Sequence, residues 1–209
     1  MVTGNIRHYA ASVEKLKKVC DSRKGEPIFG MTMIVFKGRT VLVADTNVQD
    51  FPTADRLVAI SKSCVRVARL FGFDPKVAFL SHSTFGKPIS RNTEHVRKAI
   101  ETLKKDKNID FDFDGEMQPD VALNPIYKEV YPFSKIVGNA NILIMPALHS
   151  AAISTKLMKS FGGAKLIGPL LVGLNLPIEV APLRSTTSDI INLASVAAYS
   201  ADVIDYKND

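Results

Sequence analysis

The amino-acid sequence predicts an α/β fold with a doubly wound, mainly parallel sheet and helices on both faces. Short segments that are apolar throughout alternate with amphipathic segments of helical period, which is typical of parallel strands buried on both faces. No linker, low-complexity run or internal repeat divides the 209 residues. Because a chain of this length can bury one substantial core, we expect residues 1–209 to form a single unit.

Apolar spacing and turn residues place each element along the chain. Thr53 is a plausible N-cap and Gly72 a plausible stop for a long helix. Ile190, Leu193, Ala194 and Ala197 are expected to face inward from the last helix. In order, the predicted elements are a helix around 10–19, strands at 31–36 and 40–44, a helix over 54–71, a strand at 76–80, a polar loop at 81–92, a helix around 96–103, strands at 109–113 and 141–145, a helix over 150–161, a strand at 165–168 and a helix from about 188.

Net charge and composition limit the classes of partner. The formal charge is +6, but Lys and Arg are scattered among 21 acidic residues and aromatic residues make up only 8%. No nucleic-acid-binding motif accompanies them, so we expect no nucleic-acid partner. A mildly basic cleft would suit a phosphate-rich small ligand.

Hydropathy and cysteine use indicate a cytoplasmic protein without a membrane partner. The apolar runs at 142–145 and 166–172 are far shorter than a bilayer crossing, and the N-terminus lacks the apolar stretch of a signal peptide. Cys20 and Cys64 both fall on predicted helices, which suits a reducing compartment better than a disulfide framework.

Loops that follow strands of such a sheet are where a ligand is expected, beyond the carboxyl ends of the strands. Four loops qualify: 81–86, 114–120, 146–150 and 182–189. The first carries three hydroxyls and a glycine, which suits either phosphate binding or simple capping of the next helix.

Other polar residues have both a functional and a structural interpretation. Residues 110–115 match the start of a calcium loop, but its twelfth position is Val121, so we expect a strand with one polar face and no metal site. His149 could be catalytic or a satisfied structural histidine. Asp189 could be a base, or could stabilise the first turn of the last helix.

Taken together, these segments resemble the latter part of the phosphate acetyl/butyryltransferases, with matching order and spacing over about 30–199. Residues 145–156 resemble more closely the transferase-like domain fused behind hybrid NADP-dependent malic enzymes. The segments that carry the resemblance are Ala44-Asp45-Thr46, Pro52-Thr53-Ala54, residues 75–81, Ser83-Thr84-Phe85-Gly86, Asp114-Gly115-Glu116-Met117-Gln118 and residues 167–173.

The resemblance implies a two-lobed fold with acyl-CoA and phosphate between the lobes, and a first lobe that is incomplete here. It implies that Asp189 is the catalytic acid–base residue, whereas Pro182 and Leu183 occupy the positions of a serine and an arginine that handle phosphate. Polar residues of the transferases are also replaced by Ala147 and by Ala151-Ala152. The residues expected to bind acyl-CoA or phosphate are Ser83, Thr84, Gly86, Lys156, Arg184 and Ser185.

Three functions follow as hypotheses. The first is an acyl-CoA-binding regulatory domain of a malic-enzyme-type protein. The second is an active phosphate acetyltransferase, with Arg184 recruited to phosphate. The third is a remnant that folds without binding ligand. We expect acetyl-CoA or another acyl-CoA as ligand, no tightly bound cofactor, and either a homo-oligomer or association with a malic-enzyme half.

Overall fold

The computed structural model describes residues 1–45, 48, 50–88 and 93–205. Thr46 of the family motif and residues 89–92 of the predicted polar loop lie outside the described residues. The elements are β1 (Val2–Gly4), α1 (Tyr9–Leu16), β2 (Phe29–Phe36), β3 (Arg39–Ala44), α2 (Ala54–Leu70), β4 (Lys76–Leu80), α3 (Glu94–Lys105), β5 (Asp112–Met117), α4 (Pro119–Leu123), β6 (Ile142–Ile144), α5 (Leu148–Phe161), β7 (Lys165–Val172), β8 (Glu179–Ala181) and α6 (Thr187–Asp205).

The larger sheet has six strands in the order β5-β4-β6-β3-β2-β7. Strands β3, β4, β5 and β6 run parallel to one another. Strand β2 is antiparallel to both of its neighbours, β3 and β7. The predicted mainly parallel sheet is therefore confirmed, with one reversed strand that comes from the β2–β3 hairpin.

Helices cover both faces of this sheet, as predicted. Leu42 on β3 belongs to the core that includes Leu57 of α2 and residues of α3 and α6. Its neighbour Val43 belongs to the opposite core, with Val121 of α4 and Ala151 of α5. Because successive side chains of a strand point to opposite faces, a single strand contributes to two hydrophobic layers.

Helix α2 forms where the sequence predicted it. The Thr53 side chain accepts a hydrogen bond from the Arg56 amide over 3.3 Å and so caps the helix. Leu57, Ile60 and Cys64 are buried along one stripe. Each large apolar side chain buried in this way contributes about 1.5–3 kcal/mol to folding.

A second, two-stranded sheet pairs β1 with β8 in parallel. Helix α1 packs there, with Tyr9, Val13 and Leu16 against Leu171 and Val180. This smaller layer was not predicted.

Several boundaries differ from the prediction. The strand expected at 109–113 is β5, at Asp112–Met117, so Asp114-Gly115-Glu116 lies within a strand and not in a turn after it. Strand β7 extends to Val172. Ala194 was predicted to face inward but is exposed.

Candidate functional site

A cleft of about 780 Å³ lies at the carboxyl ends of β4 and β6. Parallel strands end together at this edge, where ligands of such sheets bind. It is lined by Phe51, Thr53, Ala54, Ser81, His82, Thr93, Glu94, His95, Lys98, Pro146, Ala147, His149 and Ser150.

Three helices, α2, α3 and α5, begin at this cleft. Thr53 and Thr93 precede the first residues of α2 and α3, and Ala147 is the N-cap residue of α5. The first-turn N–H groups of a helix carry partial positive charge and have no intrahelical acceptor. Because Ala147 has no polar side chain to cap α5, this end of the cleft is suited to an anionic group.

Polar contacts hold the walls together. The His95 ring and the Pro146 carbonyl oxygen are joined over 3.0 Å, which links the start of α3 to the loop after β6. Lys98 forms an ion pair of 2.8 Å with Glu94, one helical turn away. This hydrogen bond lowers the pKa of Glu94 and raises that of Lys98, so both side chains are charged at the mouth of the cleft.

An aromatic pair stands at the same mouth. The Phe51 and His149 rings have centroids 5.5 Å apart and planes inclined by 41°. Phe51 is 74% exposed, although a phenylalanine is usually buried. The pair offers a stacking surface for a planar group of a ligand.

The loop predicted to cradle phosphate is organised around a carboxylate of the protein itself. Glu116 is buried and its Oε1 atom accepts hydrogen bonds of 3.0 Å from both the Ser83 hydroxyl and the Gly86 amide. Arg97 approaches the same oxygen at 3.4 Å. The Ser83 hydroxyl and the Gly86 amide, which were predicted to contact phosphate, therefore donate to Glu116.

Thr84 likewise forms hydrogen bonds with other residues of the chain. Its amide donates to the Lys87 carbonyl, and its hydroxyl accepts from the Gln118 amide over 3.1 Å. The Gln118 side chain donates to the His82 carbonyl over 2.7 Å. The loop after β4 is thus fastened to the end of β5, and of this loop Ser81 and His82 line the cleft.

Asp189 lies in the first turn of α6 and has a structural partner. The Thr186 amide donates to Asp189 Oδ2 over 2.9 Å, and the Asp189 amide donates to the Thr186 hydroxyl over 3.2 Å. This reciprocal pair is a capping box. The hydrogen bond from the Thr186 amide lowers the pKa of Asp189, with smaller contributions from Lys159 and Lys165.

The structure does not bring Asp189 to the cleft. Its charged neighbours lie elsewhere: Lys159 is near the end of α5, and Lys165 is the first residue of β7. Neither lysine lines the cleft. The described residues that line the cleft include neither Asp189 nor Arg184, Ser185 or Lys156. The proposed roles of these residues remain predictions.

The segment before α6 is held by local contacts. Arg184 has a φ of 62° and is exposed. The Ser185 amide donates to the Asn5 side chain over 3.0 Å, and its hydroxyl donates to the Pro182 carbonyl over 2.8 Å. Leu183 is exposed beside them.

The described residues offer neither a metal site nor a membrane span. Within the ranges given above, no group of three or more His, Cys, Asp or Glu side chains could hold a metal ion. No helix among these residues is both long enough and apolar enough to cross a bilayer.

Sequence reasoning found the loops after β4 and β6 but missed Phe51, His95 and Lys98. The only available signal was their position next to the predicted starts of two helices. An exposed aromatic residue directly before a proline and an N-cap, as in Phe51-Pro52-Thr53, could have been singled out.

This α/β domain, with its ligand-sized cleft at the carboxyl edge of the sheet, matches a known family over most of its length. The family model described as "Phosphate acetyl/butaryl transferase" matches residues 1–198. The chain belongs to this family, as its motifs predicted.

Individual relatives fall into two groups. An NADP-dependent malic enzyme of Rhizobium meliloti is 45% identical over 96% of the chain, and a phosphate acetyltransferase of Bacillus subtilis is 30% identical over the same share. The chain spans 26% of the length of the first protein and 62% of the second. The chain is therefore a phosphotransacetylase-like domain of the kind found in both.

Solved structures agree with this assignment of the fold. A phosphotransacetylase from Streptococcus pyogenes superposes with a TM-score of 0.89 and 32% identity, covering 96% of this chain and 62% of that one. The EutD phosphotransacetylase from Staphylococcus aureus gives a TM-score of 0.84 at 26% identity, again over 96% of this chain and 62% of the other.

Proposed function

We propose that this chain is an acyl-CoA-binding regulatory domain of a malic-enzyme-type protein. The observation that carries the proposal is the cleft of about 780 Å³ at which three helices begin. Its positive helix ends suit the phosphates of coenzyme A, and its size suits a ligand larger than phosphate alone. Its relation to malic enzymes rests on the 45% identity to the Rhizobium meliloti protein.

The loss of polar side chains that would handle phosphate favours ligand binding without turnover. The resemblance to the transferases implies a serine and an arginine at the positions of Pro182 and Leu183. The side chains of Pro182 and Leu183 cannot donate a hydrogen bond. Loss of one such donor typically lowers a rate by about 10²-fold or more. Ser83 and Gly86 already donate to Glu116.

The environment of Asp189 also argues against a role as base. A general base works best when its pKa lies near the operating pH. The capping hydrogen bond instead lowers the pKa of Asp189, so its carboxylate is a weak proton acceptor. The side chain is accounted for by its helix-capping role.

Isothermal titration with acetyl-CoA tests the binding proposal. We expect a saturable signal that weakens several-fold in Lys98→Glu, because Lys98 lines the cleft and the ligand is polyanionic. Lys104→Glu is the matched control, since Lys104 is exposed on the same helix and does not line the cleft. A flat trace with the unmodified chain would contradict acyl-CoA binding.

A thiol-release assay with acetyl-CoA and phosphate separates a regulatory domain from an active phosphate acetyltransferase. We expect no turnover. Turnover that disappears in Asp189→Asn, but persists in Asp202→Asn on the exposed side of the same helix, would establish the enzyme and overturn the regulatory role.

Acyl-CoA is proposed as an exchangeable ligand and not as a tightly bound cofactor. The same proposal places the domain in the cytoplasm, in a homo-oligomer or beside a malic-enzyme half, with no nucleic-acid or membrane partner. Light scattering of the purified chain, alone and mixed with such a half, tests the assembly.

A further inference from the structure

An apolar groove of about 330 Å³ runs along one face of the larger sheet, between α4 and α5. Its floor consists of buried apolar side chains of the strands: Ile34, Val41, Val43 and Leu143. Its walls include Leu123 of α4 and Met158 of α5.

The side chains that α5 buries on this face are small. Of the residues of α5, Ala151 and Thr155 are the buried ones, and both are small. The short helix α4 stands on the other side, and the groove is the space between the two helices. The lining is mostly apolar, so an apolar ligand group that enters the groove is stabilised by about 25 cal/mol for each Å² of its surface that leaves water.

One end of the groove is closed by a side chain. Arg39 begins β3 and lines the groove. Its guanidinium donates to the Leu123 carbonyl over 2.6 Å and to the Ala140 carbonyl over 2.9 Å. These bonds fix Arg39 across the amino-terminal end of the strands.

The other end of the groove adjoins the cleft. Leu80 and Met145 line the groove, and the residues that follow them, Ser81 and Pro146, line the cleft. On α5, Ser154 lines the groove and donates to the carbonyl of Ser150, a cleft residue, over 2.6 Å. Consecutive residues thus form the shared wall of a polar and an apolar compartment.

Small apolar side chains stand at this junction. Ala147 lines the cleft and is buried, and Ala151 follows one helical turn later, fully buried. Neither residue adds a polar side-chain atom between the compartments. A ligand with a polar head and a hydrocarbon tail is matched by this arrangement, because each part would meet a surface of its own polarity.

We propose that the apolar groove binds the hydrocarbon chain of an acyl-CoA thioester whose coenzyme A part lies in the cleft, so that the domain prefers acyl groups longer than acetyl. This inference rests on the proposed function and names its ligand class. About 30 Å³ is the volume of one water-sized group, so the groove accommodates roughly ten such groups, a chain of medium length.

Titration calorimetry with acetyl-, butyryl-, hexanoyl- and octanoyl-CoA tests the proposal. Each buried methylene can strengthen binding by up to about fourfold. We expect octanoyl-CoA to bind at least about 10-fold more tightly than acetyl-CoA, since the burial of the chain is incomplete. An octanoyl-to-acetyl affinity ratio near one, with acetyl-CoA still bound, overturns the groove proposal and leaves the proposed function standing.

Variants of residues that line the groove test whether the octanoyl-to-acetyl affinity ratio depends on it. Ser154→Phe puts a ring into the groove, and we expect it to bring the affinity ratio toward one. Ile153→Phe is the matched control, because Ile153 is exposed on the same helix and does not line the groove. Leu123→Trp narrows the groove from α4 and provides a second test should Ser154→Phe fail to fold. An unchanged ratio in both folded variants overturns the proposal.

Two further outcomes are distinguishable. If neither acetyl- nor octanoyl-CoA binds, the proposed function fails and the groove proposal fails with it. If the unmodified chain is a dimer that Ser154→Phe dissociates, and its affinity ratio is near one, a second copy covers the groove and the acyl-chain proposal is overturned.

Discussion

The Ser83 hydroxyl donates a hydrogen bond of 3.0 Å to the buried carboxylate of Glu116, 33 residues further along the chain. The same carboxylate oxygen accepts from the Gly86 amide. One acidic side chain from β5 therefore sets the conformation of the loop that follows β4. The loop in turn positions Ser81 and His82 at the cleft.

Glu116→Gln should destabilise the domain. The amide keeps one acceptor oxygen but loses the charge that strengthens the bonds from Ser83 and Gly86 and that attracts Arg97. We expect the free energy of unfolding to fall by about 2 kcal/mol in urea denaturation. Glu129→Gln, an exposed control, should change it little. Equal losses in the two variants would contradict the organising role of Glu116.

Gly115→Ala should be more damaging than Gly72→Ala. Gly115 has a φ of 144°, and an added Cβ would lie 2.6 Å from the Phe79 carbonyl oxygen. Gly72 has a φ of 77° but has no atom within 4 Å of such a Cβ. The control therefore measures backbone strain of about 1 kcal/mol alone, while Gly115→Ala adds a clash inside the β4–β5 pair. Thermal unfolding of both variants checks the order.

Glu179 should make stability depend on pH. Burial raises its pKa to about 8 from an unfolded value of 4.5, although the Leu171 amide, which donates to it over 2.9 Å, acts in the opposite direction. Below pH 4.5 both states are protonated and the stability is full. Between pH 4.5 and 8 the unfolded state loses the proton while the folded state retains it, so stability falls as the pH rises.

Glu179→Gln should remove this dependence. We expect the variant to gain stability relative to the unmodified chain when the pH is raised from 5 to 8, with a slope of at most about 1.4 kcal/mol per pH unit. Denaturant unfolding at several pH values measures it. Glu101→Gln on the exposed side of α3 is the control. Parallel pH profiles for all three proteins would show that Glu179 ionises normally in the fold.

Phe51→Ala should weaken acyl-CoA binding under the proposed function. The Phe51 ring stands beside His149 at the mouth of the cleft, where the adenine of coenzyme A could stack. Stacking of a base on an aromatic side chain is worth about 1–3 kcal/mol, so we expect at least about a fivefold loss of affinity by titration calorimetry. Phe161→Ala removes an even more exposed ring outside the cleft and should bind normally.

Hydrophobic spacing was sufficient for the elements that bury a continuous face. Helix α2 and strand β4 follow the prediction because Leu57, Ile60 and Val77 all point into one core. Strand β5 was misplaced because Asp112, Asp114 and Gly115 lie in it, and an edge strand can carry polar residues on its open side. Strands β1 and β8 are three residues long, too short to show a period.

The site was predictable only where it depends on strand ends. The loops after β4 and β6 meet at the cleft because parallel strands end on the same edge. His95 and Lys98 belong to α3, and tertiary packing determines how close α3 lies to that edge. The apolar spacing of the sequence does not predict this distance. Ser83 was predicted as a ligand contact, whereas its hydroxyl donates to a carboxylate distant in sequence.

The pairing of β1 with β8 joins Val2 to Glu179 and Gly4 to Ala181. During synthesis on the ribosome, the β2–β3 hairpin and the parallel strands can associate while the chain is still growing. The smaller sheet must wait until β8 has emerged, because β1 and β8 lie far apart in the sequence. Contacts of this range slow folding. The layer that includes Tyr9 and Val180 is therefore expected to acquire protection from hydrogen exchange later than the β2–β3 hairpin in a nascent chain.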